Sequence, residues 1–249
     1  MNSCDKKPLT GQTAIITGSA RRLGNTIAKK IAALGGNVIL HYNKSQNDVQ
    51  ELLDEIHMYG VNGWMFKADL KSDNEITRFV NQAFSVAPVT ILINNASIFS
   101  NTGFHDTTSE IWNDHLQVNL SAPFLLSKSF AKKLQTGMNG KIINLVDWRA
   151  LRPGKDHFSY SISKSALAAF TKALALELAP KITVNAVALG AILPPENELP
   201  NPAIVDKIPL HRWADLQELD NLIEYLVTIS PALTGQIIHL DGGRQLIFN

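Results

Sequence analysis

Tyr160 and Lys164, in the run YSISK, stand four residues apart, so on a helix they share one face, one turn from each other. None of the other tyrosines, Tyr42, Tyr59 and Tyr225, has a lysine at that spacing. A phenol at its ordinary pKa of ~10 is a poor acid–base group near neutral pH, so its neighbours decide whether it can act as one. Upstream of the pair, in INLVDWRA, lies Asp147. An ionised carboxylate only accepts hydrogen bonds and opposes a nearby phenolate, so it suits proton delivery better than oxyanion stabilisation. Asp147 is expected either to be partly protonated in a desolvated pocket or to take protons from water and relay them through Tyr160.

A second constellation lies near the N-terminus, where TAIIT, TGSARRLG and NTIAKKIAALGG follow one another. They read as strand, tight turn and helix, the context in which helix amides and the positive dipole end meet a phosphate. Gly18 can supply the turn and Gly24 the close helix packing, while Arg21 and Arg22 stand where a glycine-rich loop would be bare. The next strand ends in HYNKS. No carboxylate is there to bind a ribose 2′-hydroxyl; Asn43, Lys44 and Ser45 instead join Arg21 or Arg22 in a donor-rich, cationic pocket suited to NADP over NAD.

Seven short apolar runs must position these residues: TAIIT, NVILH, NGWMF, VTILINN, KIINLV, KITVNAV and GQIIHL. Their alternation with segments of helical period predicts α/β architecture, a Rossmann-type doubly wound parallel sheet with helices on both faces. Nothing divides the chain, so residues 1–249 are expected to form a single domain. The irregular tract AILPPENELPNP, at 191–202, holds four prolines that prevent a helix, and a substrate loop is expected at about 190–210. With 23 basic and 22 acidic residues the net charge is +1, so no bulk field draws the chain to nucleic acid or a membrane. The lone Cys4 excludes an internal disulfide, and no metal-ligand cluster is evident. The opening residues lack an apolar signal segment, and a cytoplasmic protein is expected.

The order TGxxxGxG (broken by Arg22), ADL at 68–70, NNAS at 94–97, Asn119 in QVNLSAP and YSISK at 160–164 resembles the short-chain dehydrogenase/reductase family over nearly the whole chain. The resemblance implies that Lys164, with the oxidised nicotinamide, lowers the pKa of Tyr160 and holds the nicotinamide ribose. It implies that Asp69 and Leu70 border the adenine, that Asn95 and Ala96 line the cofactor groove, and that Asn119 braces the site through its helix. Leu23, Tyr42, Ser97 and Gly190 complete the expected cofactor set.

Asp147 occupies the place where the family usually has a serine. Together with Arg22, HYNKS and Phe99 after NNAS, it resembles the pteridine reductase branch, including the dihydromonapterin reductase type. That implies NADPH-dependent reduction of a C=N bond in a dihydropterin, dihydrofolate among the candidates. Phe99 would stack on the pterin, and Ser97 would bond the pterin or a cofactor phosphate. The chain departs from the pattern at Leu189, where the family has proline, and at Ile192, where these reductases place a hydroxyl. Trp148, Arg149 and Arg152 are candidates for shaping specificity, while His157, His211 and Trp213 are expected to be structural. The family's C-terminal segment often builds a homotetramer, which would bring Arg244 toward a neighbouring site. Two other readings stand beside this one: a carbonyl or 3-oxoacyl thioester reductase, to which Asp147 is the main objection, and an NADP-binding regulator without catalysis.

Overall fold

A computed structural model describes residues 6–194, 199, 201–229 and 232–247. Cys4 and five residues of the proline-rich tract, 195–198 and 200, lie outside the described residues. Seven strands form one sheet: β1 (Thr13–Ile16), β2 (Asn37–Tyr42), β3 (Gly63–Lys67), β4 (Ile91–Asn94), β5 (Gly140–Asp147), β6 (Ile182–Leu189) and β7 (Ile237–Leu240). Each falls on one of the seven apolar runs. The order is β3-β2-β1-β4-β5-β6-β7 with every pairing parallel, which is the expected doubly wound single-domain fold.

Alternation along the strands divides the core into two layers. Ala14 and Ile16 of β1, Val38 and Leu40 of β2, and Ile91 and Ile93 of β4 pack on one face. They meet α1 (Arg22–Ala33), α2 (Gln46–Met58) and α8 (Leu216–Thr228). Ile15, Ile39 and Leu92 point the other way, toward α3 (Asp73–Val86) and α5 (Ala122–Lys133). On that side α6 (Phe158–Leu178) covers β5 and β6. The remaining helices are α4 (Ser109–Leu116) and a four-residue α7 (Pro202–Val205). The latter starts on the last of the four prolines, the position where a helix tolerates proline, and Asn201 caps it by accepting from the Ala203 amide at 3.0 Å.

Strand order reverses between β1 and β4, so a crevice opens beyond the C-terminal ends of those strands. A ladder of buried amides locks the elements beside it. Asn94 Nδ2 of β4 donates to Asn144 Oδ1 of β5 at 2.8 Å, and Asn144 Nδ2 donates to Thr171 Oγ1 of α6 at 2.9 Å. All three side chains are buried, so losing one partner would strand another without water. This ladder fixes α6, and with it Tyr160, against the strand that ends in Asp147. No described helix is long and apolar enough to cross a membrane.

Candidate active site

Asp147 is the last residue of β5 and caps the short 3₁₀ turn Trp148–Ala150, its Oδ1 accepting from the Arg149 amide at 2.8 Å. Its other oxygen, Oδ2, accepts from the Tyr160 hydroxyl at 3.1 Å. Tyr160 and Lys164 lie on the first turns of α6, both almost fully buried. Lys164 Nζ donates to Leu145 O at 2.7 Å and stands 5.8 Å from the Tyr160 ring centroid. The structure therefore brings the three expected catalytic residues together.

Burial, followed by the charge and hydrogen bond of Asp147, holds the Tyr160 hydroxyl well above its ordinary pKa, against a small opposing pull from Arg149. The polypeptide by itself thus favours the phenol; the lowering expected of Lys164 together with the oxidised nicotinamide concerns the cofactor-bound enzyme. The ammonium is directed to a carbonyl, and burial lowers its own pKa to about 8 despite the attraction of Asp147.

The crevice at the switch point is a cavity of about 460 Å³. Of the expected cofactor residues, Gly18, Arg21, Arg22, Leu23, Asn43, Asp69, Leu70, Asn95, Ala96 and Ser97 line it. Tyr42 is buried in the core on the α1 side, Lys44 is exposed on the adjoining turn, and Ser45 precedes α2. Gly190 follows β6, where a Cβ would lie 2.6 Å from Asp241 Cα, so the two strand ends touch through a bare glycine. Ile192, in the place of the missing hydroxyl, is buried in the core.

The loop geometry explains the glycines and the arginine between them. Gly18 has φ +61, and a Cβ on Gly24 would stand 2.2 Å from Gly18 O. Arg22 has φ +53, the left-handed region a glycine would occupy, at a cost of ~1–2 kcal/mol. Its guanidinium offsets this by donating to Pro194 O at 2.9 Å and Leu193 O at 3.4 Å, tying the nucleotide loop to the segment after β6. Arg21 pairs with Asp48 at 2.8 Å. Helix α1 carries no acidic residue in its first turn, which leaves its positive end open to phosphate.

Asn119 ties the segment after β4 to α6. It lies in a π-helical turn, Gln117–Ser121, and is fully buried. Its Oδ1 accepts from Ser97 Oγ at 3.1 Å and the Ile98 amide at 2.9 Å, while Nδ2 donates to Ile98 O at 3.1 Å and Ser163 Oγ at 3.0 Å. Phe99 meets Tyr160 edge to face at 4.6 Å and is 57% exposed.

Two histidines carry more than the sequence indicated. His41, the buried first residue of HYNKS, lines the crevice and accepts the Gly18 amide on Nδ1 at 3.0 Å. Its Nε2 lies 3.0 Å from Ala68 O, a pure acceptor, so the proton sits on Nε2 and the ring is neutral. Burial lowers its pKa to about 4. The only signal available was a polar residue inside an apolar strand. His157, expected to be structural, stacks on Phe99 with centroids 4.0 Å apart and rings 13° from parallel.

The model of the family described as short chain dehydrogenase matches residues 12–201. The chain is 31% identical over 243 residues to a 3-oxoacyl-[acyl-carrier-protein] reductase of Synechocystis sp., covering 96% of this chain and 98% of that protein. It is similar to the structure of FolM alternative dihydrofolate reductase 1 from Brucella canis complexed with NADP: 33% identity, TM-score 0.92, 98% of this chain and 97% of that one. The corresponding Brucella suis protein, also with NADP, shows 34% identity and a TM-score of 0.90, with 96% of both chains covered.

Proposed function

Starting from a chain that belongs to the short-chain dehydrogenase family, we propose that it is an NADPH-dependent reductase of a dihydropterin-type C=N bond, dihydrofolate included. The observation that carries this reading is the Asp147 carboxylate hydrogen-bonded to the Tyr160 hydroxyl at 3.1 Å. A carbonyl builds negative charge on oxygen as it is reduced, and a carboxylate beside it would oppose that charge. A C=N nitrogen becomes cationic when protonated, and the same carboxylate stabilises it. The alternative dihydrofolate reductases among the structural relatives support the reading. The identity to 3-oxoacyl-[acyl-carrier-protein] reductases keeps the carbonyl alternative in play as the comparison to be tested.

The crevice fits NADP through its bare glycines, the open end of α1 and the absence of a carboxylate at Asn43, Lys44 and Ser45. Arg21, Arg22, Asn43, Lys44 and Ser45 would hold the 2′-phosphate side, Asp69 and Leu70 the adenine, Asn95, Ala96 and Ser97 the groove, and Lys164 the nicotinamide ribose. When bound, the reduced nicotinamide supplies hydride to the ring carbon. Tyr160 holds the proton for the ring nitrogen, and its raised pKa keeps it in the donor state. Asp147 orients the hydroxyl, favours positive charge on the nitrogen and returns a proton from water to Tyr160. Phe99 would cover one face of the ring, the stretch at about 190–210 would be a substrate loop, and the single domain 1–249 would assemble as a homotetramer.

The test is NADPH oxidation with dihydrobiopterin, dihydromonapterin, dihydrofolate and acetoacetyl thioester, for wild type and Tyr160→Phe. The expected outcome is pterin-dependent turnover that the substitution abolishes. Turnover of the thioester alone would replace the reading with carbonyl reduction, and NADPH binding with no turnover of any substrate would point to a regulator.

A further inference from the structure

Next to Asp147 lies a second cavity, about 340 Å³, which the nucleotide crevice does not include. Its wall is built from three separate stretches: Trp148, Arg149 and Arg152 after β5, Lys207 after α7, and Arg244 with Ile247 near the C-terminus. Four of its charged residues are cations and one, Asp156, is an acid, in a chain whose net charge is only +1. The excess is therefore concentrated by the fold.

Arg149 connects this cavity to the reacting pair. Its Nη1 lies 3.7 Å from Asp147 Oδ1, and the other oxygen of that carboxylate holds Tyr160. Its Nη2 is 3.1 Å from Asp156, so two acids already share its charge. Its Nε, however, is buried and lacks a hydrogen-bond partner in the structure. Arg152 donates to the carbonyl oxygens of Gln245 and Ile247 and so fixes the tail that carries Arg244.

Lys207 and Arg244 have no carboxylate within ion-pair distance among the described residues, although Asp147, Asp156 and Asp241 attract Arg244 at longer range. The Arg244 guanidinium lies 4.3 Å from the Trp148 ring centroid, and that of Arg149 lies 4.8 Å from it, so one indole holds two like charges in the same recess. Burial and then Arg149 lower the pKa of Arg244, against the pull of Asp147, Asp156 and Asp241. Such a cluster is relieved by an anion. Its position in a recess, with the Arg149 side chain only 15% exposed, suits a small anionic group better than the broad face of an acidic protein.

We propose that this cavity is a subsite for a carboxylate or phosphate carried on the substrate away from the reacting bond, with Arg244, Lys207 and Arg149 as its donors. The inference rests on the reductase reading above and deepens it: the preferred substrate is an acid-bearing pterin, and neutral pterins are poorer ones. A substrate seated against Tyr160 and Phe99 extends past Asp147 and ends among the cations, so the acid contributes to binding and not to the chemical step.

The test measures kcat/KM for dihydrofolate, a phosphorylated dihydropterin and uncharged dihydrobiopterin in wild type, Arg244→Gln and Lys207→Gln. Wild type should prefer at least one acidic substrate, which identifies carboxylate or phosphate as the group held. Each substitution should lower the acidic-to-neutral ratio about tenfold through KM, and high salt should lower it more in wild type than in either variant. A ratio unmoved by both substitutions would overturn the proposal. A second readout is independent of turnover: Trp148 fluorescence, taken as the difference from Trp148→Phe, during titration with inorganic phosphate or glutarate. If no pterin is reduced, the reductase reading falls. Saturable anion binding weakened about tenfold by Arg244→Gln would then still support the subsite, and absence of binding would remove it. If free anions do not bind while turnover of an acyl-carrier-protein thioester depends on Arg244, the cations belong to an acidic-protein surface and the subsite is wrong.

Discussion

Replacing Asp147 by asparagine keeps the side-chain shape and removes the charge beside Tyr160. At 3.1 Å, the repulsion between a carboxylate and a phenolate is about 5 kcal/mol at an effective dielectric near 20. Arg149, 3.7 Å from the same carboxylate, draws off part of that field. We therefore expect the Tyr160 pKa to fall in the variant, by less than the bare repulsion would give. Burial remains in the variant and keeps the value above that of a free phenol. The assay is the ultraviolet tyrosinate signal against pH, recorded for Asp147→Asn and for the same variant with Tyr160→Phe, so that the difference isolates one hydroxyl. In wild type that hydroxyl should remain protonated throughout the range in which the fold survives. An unchanged or higher value in Asp147→Asn would refute the assignment of Asp147 as the group that keeps Tyr160 a donor.

Other outcomes follow from the same geometry. His41 has a folded pKa of about 4 against 6.5 unfolded, so its contribution to stability is complete above pH 6.5 and is lost as pH falls toward 4, about 3 kcal/mol in all. Denaturant melts of wild type and His41→Asn across that window should show the variant losing less. Lys164, with a folded pKa of about 8 against 10.5, destabilises the neutral-pH protein, and the penalty is relieved as pH rises from 8 to 10.5. Lys164→Met should abolish turnover while raising stability by about 1–2 kcal/mol, and a lower melting temperature would contradict this. Arg22→Gly relieves the left-handed strain but releases Pro194 and Leu193. It should leave the melting temperature nearly unchanged and raise the KM for the pterin several-fold.

The sheet was legible because apolar runs of strand length alternate with helical period, and all seven strands fall on such runs. The loop glycines were legible because strand, turn and helix follow in order. Asp147 could be placed only by its register to Tyr160, since a lone aspartate after a strand has no pattern of its own. The push of Asp147 against a Tyr160 phenolate was legible from their register; the burial that adds most to it was not, because only the fold encloses the hydroxyl. His41 escaped for a related reason, because its partners Gly18 and Ala68 belong to other elements. The cationic cavity draws on residues from 148 to 247, a grouping that spacing along the chain cannot reveal.

The central claim is that Asp147 suits this site to C=N rather than C=O reduction. The most direct measurement is kcat with dihydrofolate and with acetoacetyl thioester, side by side, for wild type and Asp147→Ser. The account predicts that the pterin rate falls at least about a hundredfold while the thioester rate is unchanged or rises. Equal losses with both substrates, or a pterin rate that survives the substitution, would contradict it.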